Sequence, residues 1–332
     1  MDSCVLSHLE IIGTGRYLPQ EIVRTEEFEG RKMWAYDKFG NKIGESRTFY
    51  TQKLIDLTGI TERRKAFADE WPSDMGYFAA QSALQKACID VDSLVGIIVA
   101  TVSEKKNFPS AAVKIQERLG ARNVKVAYDL QNACAGFPTA LMNANSSSRD
   151  FNGYWLVVAS EVLTKVNDYN DINSHLFGDG AGAAVLGHTD TGKGILGVYS
   201  RSEPFEGNLE MIFRGENPDC IRMPDGAGVL RRAVDAMTES VISLKKDLNW
   251  ERVDVYIPHQ ANERIIAGVE RKLRGDGAVV YRNISRYGNM SSATCAVALD
   301  EAIGDQTIKD GSKVIITSFG AGLVTSAVAI KF

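Results

Sequence analysis

Three residues have the types and settings that nucleophilic thioester chemistry requires: Cys134 in KVAYDLQNACAGF, His259 in IPHQAN and Asn289 in YGNMSSAT. Cys134 stands where a short apolar strand ends and a small-residue helix begins. A thiol there meets unpaired backbone N–H groups and the positive end of the helix dipole, which favour its thiolate. Ala133, Ala135 and Gly136 let a substrate and neighbouring backbone come close, and a strand-to-helix turn lifts its residue out of the sheet. His259 follows the apolar run VDVYI and Pro258, at the strand end where open α/β sheets collect their sites. Asn289 lies between VVYRNIS and a small-residue helix; its ordinary role there is a turn or N-cap residue, and its company with Cys134 and His259 reverses that preference. Of the other histidines, His8, His175 and His188 have weaker settings, and His175, just before FGDGAGA, reads as structural. No acidic partner for His259 is named by the sequence.

The elements that must position these residues alternate. LEIIGTG, VGIIVATV, KVAYDL, YWLVVAS and AGAAVLG read as buried strands, with MGYFAAQSALQKACI and SAAVKIQERLG as helices between them. The second half repeats the rhythm: GILGVYS, VDVYIPH, VVYRNIS and KVIITSF as strands, VLRRAVDAMTESVISLKKDL and ANERIIAGVERKLRG as helices. This is an α/β protein of two related halves, residues 1–187 and 188–332, meeting at the polar segment HTDTGKG. Residues 30–52, with Gly40 and Gly44 and no clean period, form a long surface excursion of hairpin character.

The bulk numbers narrow the function. The 332-residue chain is 44% hydrophobic and 24% charged, with 38 basic against 42 acidic residues and a net charge of -4. Such a balance implies no bulk attraction to nucleic acid or to an anionic membrane. No apolar run approaches the ~20 residues of a membrane span, and the N-terminus lacks the pattern of a signal peptide. Cys4, Cys88, Cys134, Cys220 and Cys295 are odd in number, far apart and without metal-ligand spacing, which fits a reducing cytoplasm and argues against a structural zinc site or a disulfide framework.

The motifs resemble those of the ketoacyl-acyl-carrier-protein synthase III family of the thiolase fold. ACAGF around Cys134, PHQAN around His259 and GN-x-SSA around Asn289 carry the likeness. TGI-x-ERR (58–64), FPSAA (108–112), FGDGAGAAVL (177–186) and SFGAG (318–322) extend it in the family's order. The resemblance implies a duplicated five-layer α/β/α/β/α fold with two mixed sheets, a homodimer and no cofactor beyond thioester substrates. It assigns Cys134 as the nucleophile that takes an acyl group from acyl-coenzyme A or an acyl carrier protein. His259 and Asn289 then stabilise the enolate as a malonyl thioester loses CO2. The backbone N–H groups of Cys134 and Ala321 form the oxyanion site, Phe319 packs beside the cysteine, and Phe108 reaches across the dimer to close the partner subunit's acyl pocket. On the helix after His259, Arg264, Arg271 and Lys272 match the family's docking positions for an acidic acyl carrier protein.

One region departs from the pattern. Typical members hold the adenine end of coenzyme A with a Trp before TGI and two Arg; the matching places here carry Lys53, Leu57 and Ile172. An aliphatic side chain neither stacks nor pairs with phosphate, and Lys does not replace Arg in stacking. The expectation is a starter delivered on a carrier protein, or coenzyme A bound in another pose, in fatty-acid or specialised biosynthesis. Two readings compete with decarboxylative condensation: acyl transfer to a hydroxyl or amine without C–C bond formation, and a non-catalytic subunit of a synthase heterodimer. A degradative thiolase is disfavoured, because its second cysteine would fall where Ser318-Phe319-Gly320 stands.

Overall fold

The structure is a computed structural model that describes residues 8–37, 41–189, 191–204, 211–213, 220–223, 225–275 and 277–332. Its strands, in chain order, are β1 (His8–Tyr17), β2 (Glu21–Arg24), β3 (Lys32–Tyr36), β4 (Lys42–Thr48), β5 (Glu62–Lys65), β6 (Leu94–Ala100), β7 (Val126–Leu130), β8 (Tyr154–Val162), β9 (Asp179–Thr189) and β10 (Gly194–Ser202), followed by β11 (Met211–Phe213), β12 (Cys220–Arg222), β13 (Val255–Pro258), β14 (Val279–Val280), β15 (Lys313–Gly320) and β16 (Val324–Lys331). Its helices are α1 (Thr51–Thr58), α2 (Pro72–Ala87), α3 (Ala111–Leu119), α4 (Gly136–Ser147), α5 (Gly226–Asp247), α6 (Glu263–Lys272), the single turn α7 (Ile284–Tyr287) and α8 (Ala293–Gly304).

Two five-stranded sheets form, in the orders β1-β9-β8-β6-β7 and β10-β16-β15-β13-β14. Numbered within its own set, each runs first, fifth, fourth, second, third. In both, the first and fourth strands are antiparallel to the fifth, and the second is parallel to the third and fourth. The strands β8, β9, β15 and β16 are buried almost throughout, because helices cover both faces, and they therefore read as continuous apolar runs.

The central layer is α4 and α8. Phe137, Leu141 and Ala144 of α4 and Val297, Leu299 and Ala302 of α8 join Ile98 and Val157 of the first sheet to Ile257, Ile316 and Val328 of the second in one core. Helix α8 is buried nearly all round, which its alanine-rich sequence allows. A Cβ on Gly182 of β9 would lie 2.5 Å from the Ala296 Cβ, so only small residues permit this approach. Outside, α2 and α3 cover the first sheet, and α5 and α6 cover the second. The layering is the thiolase-like α/β/α/β/α stack the motifs imply.

The excursion at 30–52 is a hairpin, β3 antiparallel to β4. It docks onto the 168–173 loop: the Trp34 N–H donates to the Asn170 carbonyl (2.8 Å) and the Ile172 N–H to the Trp34 carbonyl (2.9 Å). Arg222 lies 3.9 Å from the Tyr36 ring centroid and pairs with Asp168 (2.9 Å) and Asp171 (3.4 Å), anchoring the arm. Phe28, Met33, Phe49 and Leu54 make a small core of its own, against which Ile172 packs. One strand expectation needs correction. In VVYRNIS only Val279–Val280 pairs as a strand; the buried Gln260 side chain then takes the Asn283 N–H (3.0 Å) and donates to the Tyr281 carbonyl (3.2 Å), and the chain turns into α7.

Candidate active site

Cys134, His259, Asn289 and Phe319 line one cavity of about 450 Å³ between the C-terminal ends of the sheets and the N-terminal ends of α5 and α6. Cys134 sits in a single 3-10 turn, Ala133–Ala135, that leads into α4. Ala133 before it has φ +44°, a left-handed conformation that a non-glycine residue adopts only where surrounding structure imposes it. The end of β15 supplies that support. The Ser318 hydroxyl donates to the Cys134 carbonyl at 2.6 Å, and a Cβ on Gly320 would lie 3.0 Å from the backbone nitrogens of Cys134 and Ala135. Glycine at 320 thus lets two backbones converge at the Cys134 turn. Cys134 is 5% exposed.

His259 leaves β13 with its N–H on the Thr317 carbonyl (2.8 Å) and is 3% exposed. Burial holds the imidazole neutral, its pKa pushed down to about 3. Its Nδ1 lies 2.7 Å from the hydroxyl of Thr294 on α8, which leaves Nε2 for the cavity. Asn289 is pinned on both sides: its N–H donates to the Leu176 carbonyl (2.8 Å), and its carbonyl accepts from the Gly178 N–H (3.0 Å). Its side-chain Oδ1 accepts from the Ser291 N–H at 2.8 Å, so the NH2 is the end left to the cavity. A neutral imidazole nitrogen and an amide NH2 therefore share a buried site with a cysteine; an N–H on each is what an oxyanion or enolate there would need.

A buried carboxylate reaches the Asn289 loop from outside the cavity. Glu161, at the end of β8, accepts from the Ser103 hydroxyl (2.5 Å) and the Val102 N–H (3.1 Å), and its other oxygen meets the Ser292 hydroxyl (3.0 Å). Full burial raises its pKa to about 7. It ties the end of the first sheet to the Asn289 loop without lining the cavity.

At the mouth, Lys53, Leu57 and Ile172 line the cavity, as do Arg47, Thr48 and Phe49 of the hairpin and Arg264 of α6. Among the described residues Arg47, Lys53 and Arg264 make no ion pair with a carboxylate. Arg264 is the one sequence-chosen docking residue on this rim. Arg271 and Lys272 lie at the far end of α6, where Lys272 pairs with Asp235 of α5. Phe108 is 83% exposed on the loop before α3, outside the cavity of its own chain. Ala321 follows Gly320 directly and is half-buried, and it is not among the lining residues. Sequence reasoning missed Thr294 and Arg47, and it did not place His175 on the cavity wall, where the ring packs against Phe49 and Phe28.

Two matching mixed sheets around shared helices, with Cys134, His259 and Asn289 at one cavity, define an enzyme of the thiolase-fold condensing class. The chain belongs to the 3-oxoacyl-[acyl-carrier-protein (ACP)] synthase III family: that family's profile matches residues 128–204, and its C-terminal profile matches residues 244–332. It is 36% identical over 330 residues to the beta-ketoacyl-[acyl-carrier-protein] synthase III of Oceanobacillus iheyensis, covering 98% of this chain and 99% of that one. Among solved structures, the 3-oxoacyl-[acyl-carrier-protein] synthase III of Aquifex aeolicus VF5 superposes with a TM-score of 0.86 at 33% identity, over 98% of this chain and 100% of that one. The priming beta-ketosynthase of the R1128 polyketide pathway superposes with a TM-score of 0.85 at 29% identity, over 98% and 96%. Among the described residues no helix is long and apolar enough to cross a membrane.

Proposed function

We propose that this enzyme loads an acyl group onto Cys134 and extends it by decarboxylative Claisen condensation with a malonyl thioester. In the first half-reaction the Cys134 sulfur attacks the donor's thioester carbonyl, a new C–S bond forms, and the donor thiol leaves. The backbone N–H groups of Cys134 and Ala321 hold the passing oxyanion. In the second, the malonyl C–C bond to the carboxylate breaks and CO2 departs. The electron pair flows towards the thioester oxygen, where the Asn289 NH2 and the His259 ring N–H stabilise it. The enolate carbon then attacks the acyl-Cys134 carbonyl, Cys134 leaves, and a 3-oxoacyl thioester is released.

The observation that carries this reading is the pairing at one cavity of a cysteine on a helix-entry turn with a neutral His259 and an Asn289 whose oxygen is already engaged. A general base for O- or N-acyl transfer has no need of the second donor. Keeping all three residues also argues against a non-catalytic partner subunit.

Arg47, Lys53 and Arg264, which pair with no carboxylate among the described residues, support phosphate recognition at the end of a pantetheine arm, and the aliphatic Leu57 and Ile172 favour a carrier-borne starter over the adenine of coenzyme A. Arg264, with Arg271 and Lys272 further along α6, faces an acidic acyl carrier protein, and the exposed Phe108 suits insertion into a second copy in a homodimer. The test is product analysis by mass spectrometry with acyl donor alone, with malonyl-carrier added, and with alcohol or amine acceptors instead. A 3-oxoacyl product that requires the malonyl donor supports condensation; an ester or amide formed without it would establish plain acyl transfer.

A further inference from the structure

The buried hydroxyl of Thr294 raises a question the catalytic trio leaves open: which ring nitrogen of His259 carries the proton. A neutral imidazole has one N–H, and His259 can hold an enolate only if that N–H is on Nε2, because Nδ1 is turned to Thr294. Thr294 Oγ1 has one proton and two acceptors within reach, His259 Nδ1 at 2.7 Å and the Ser291 carbonyl at 3.0 Å. If the hydroxyl serves Ser291, Nδ1 must hold the ring proton, and Nε2 reaches the cavity as a bare lone pair. If it serves Nδ1, the ring proton is on Nε2. The Ser291 carbonyl is then still satisfied, because the Thr294 backbone N–H donates to it at 3.3 Å. The Cys295 thiol also contacts the Thr294 side chain. Burial keeps that thiol protonated, its pKa pushed up to about 12, so it is a weak competitor for the hydroxyl proton.

We propose that Thr294 is a positioning residue that donates its hydroxyl proton to His259 Nδ1 and thereby fixes the Nε2–H tautomer facing the cavity. The proposal rests on the reading of His259 as an enolate donor. It has a sequence basis only in retrospect: Thr294 is fully buried in the first turn of α8, five residues after Asn289, so one short segment supplies both the second donor and the group that orients the first. A hydroxyl suits this place better than a carboxylate. It sets the tautomer without adding a charge that would draw a second proton onto the ring, and burial already keeps the ring neutral.

The experiment is nitrogen-15 NMR of histidine-labelled enzyme, with the His259 signals identified by their loss in His259→Ala, beside separate assays of Cys134 acylation and of malonyl condensation for wild type, Thr294→Ser and Thr294→Val. The expected result is a protonated Nε2 in wild type and in Thr294→Ser. Thr294→Val should acylate Cys134 at near wild-type rate, which also shows that it folds, and lose condensation by about 10²-fold, the scale of one lost oxyanion donor. A protonated Nδ1 in wild type overturns the proposal, as does Thr294→Val that condenses normally or that loses both half-reactions equally while Thr294→Ser gives no rescue. Normal condensation by His259→Ala would instead overturn the donor reading of His259 itself, whichever tautomer is seen.

Discussion

The floor of the cavity and its mouth are built on different terms. At the floor, Cys134, His259 and Asn289 stand on turns that leave core strands and helices, and each turn is held by buried hydrogen bonds: Ser318 to Cys134, Thr317 to His259, Leu176 and Gly178 to Asn289. At the mouth, Arg47, Lys53 and Arg264 are exposed, unpaired with carboxylates among the described residues, and one of them rides on the hairpin. Rigid elements fix donors to within the tolerance that transition-state stabilisation requires, whereas an exposed rim sets which substrate arrives. A mutation at the floor should therefore change kcat, and one at the mouth should change KM.

The largest effect is expected at Cys134, His259 and Asn289. Cys134→Ala should abolish both acylation and condensation, read as loss of the acyl mass on the intact protein. His259→Ala and Asn289→Ala should each lower condensation by about 10²–10³-fold while Cys134 still acquires its acyl group. Equal loss of both half-reactions would erase the division of labour between the cysteine and the two donors.

A smaller, pH-dependent effect separates burial from chemistry. Because burial holds the His259 pKa near 3, condensation should show no inflection near the ordinary histidine value of 6.5. A pH–rate profile of single-turnover condensation on pre-acylated enzyme checks this, and a clear inflection there assigned to His259 would contradict a dry floor. Glu161, behind the floor, acts in the opposite sense on stability. Its carboxyl ionises in the unfolded chain from its ordinary value of 4.5 but in the fold only near 7, so stability falls across that interval and levels off above it. Glu161→Gln should remove a loss on the order of 3 kcal/mol. The amide fits the site: its oxygen can accept from Ser103 and Val102, and its NH2 can donate to the Ser292 hydroxyl, which itself reaches the Ala100 carbonyl at 3.1 Å. Denaturant unfolding of both proteins at about pH 5 and about pH 8 measures the difference.

The smallest effect is at the mouth. Arg47→Ala or Lys53→Ala should raise KM for the thioester by roughly 5–10-fold, about 1–1.4 kcal/mol for one exposed charged contact, with kcat unchanged. The effect should shrink with added salt, because both side chains are exposed. A fall in kcat would mean that the hairpin shapes the floor as well.

The same contrast governs what the sequence makes legible. Cys134 and His259 each follow a strand, and Asn289 stands in a turn before a small-residue helix, so local pattern places all three at loop ends. The alternation of buried runs with helices carries the layer architecture, because strands covered on both faces leave continuous apolar stretches. Thr294 is silent by comparison: in SSATCAVAL it reads as one more small core residue, and its role appears only when α8 brings it beneath His259. Arg47 is equally silent, since its place at the mouth depends on a hairpin anchored by Arg222, Asp168, Asp171 and Tyr36, groups far apart in sequence. His175 reads as structural beside FGDGAGA and does pack among aromatics, yet its ring also forms cavity wall. The short β14 was beyond local pattern too, because the buried Gln260 side chain, 21 residues before Tyr281 in the case of its longer bond, replaces the ladder.

The most direct test of the central claim is a two-step intact-mass experiment. The enzyme is first incubated with an acyl donor, freed of it, and then given malonyl-carrier thioester. The account predicts an acyl mass on wild type that is absent from Cys134→Ala, and its conversion, only after the malonyl thioester is added, into a 3-oxoacyl thioester with release of CO2. An acyl mass that persists with the malonyl thioester and departs only to a hydroxyl or amine acceptor would contradict condensation.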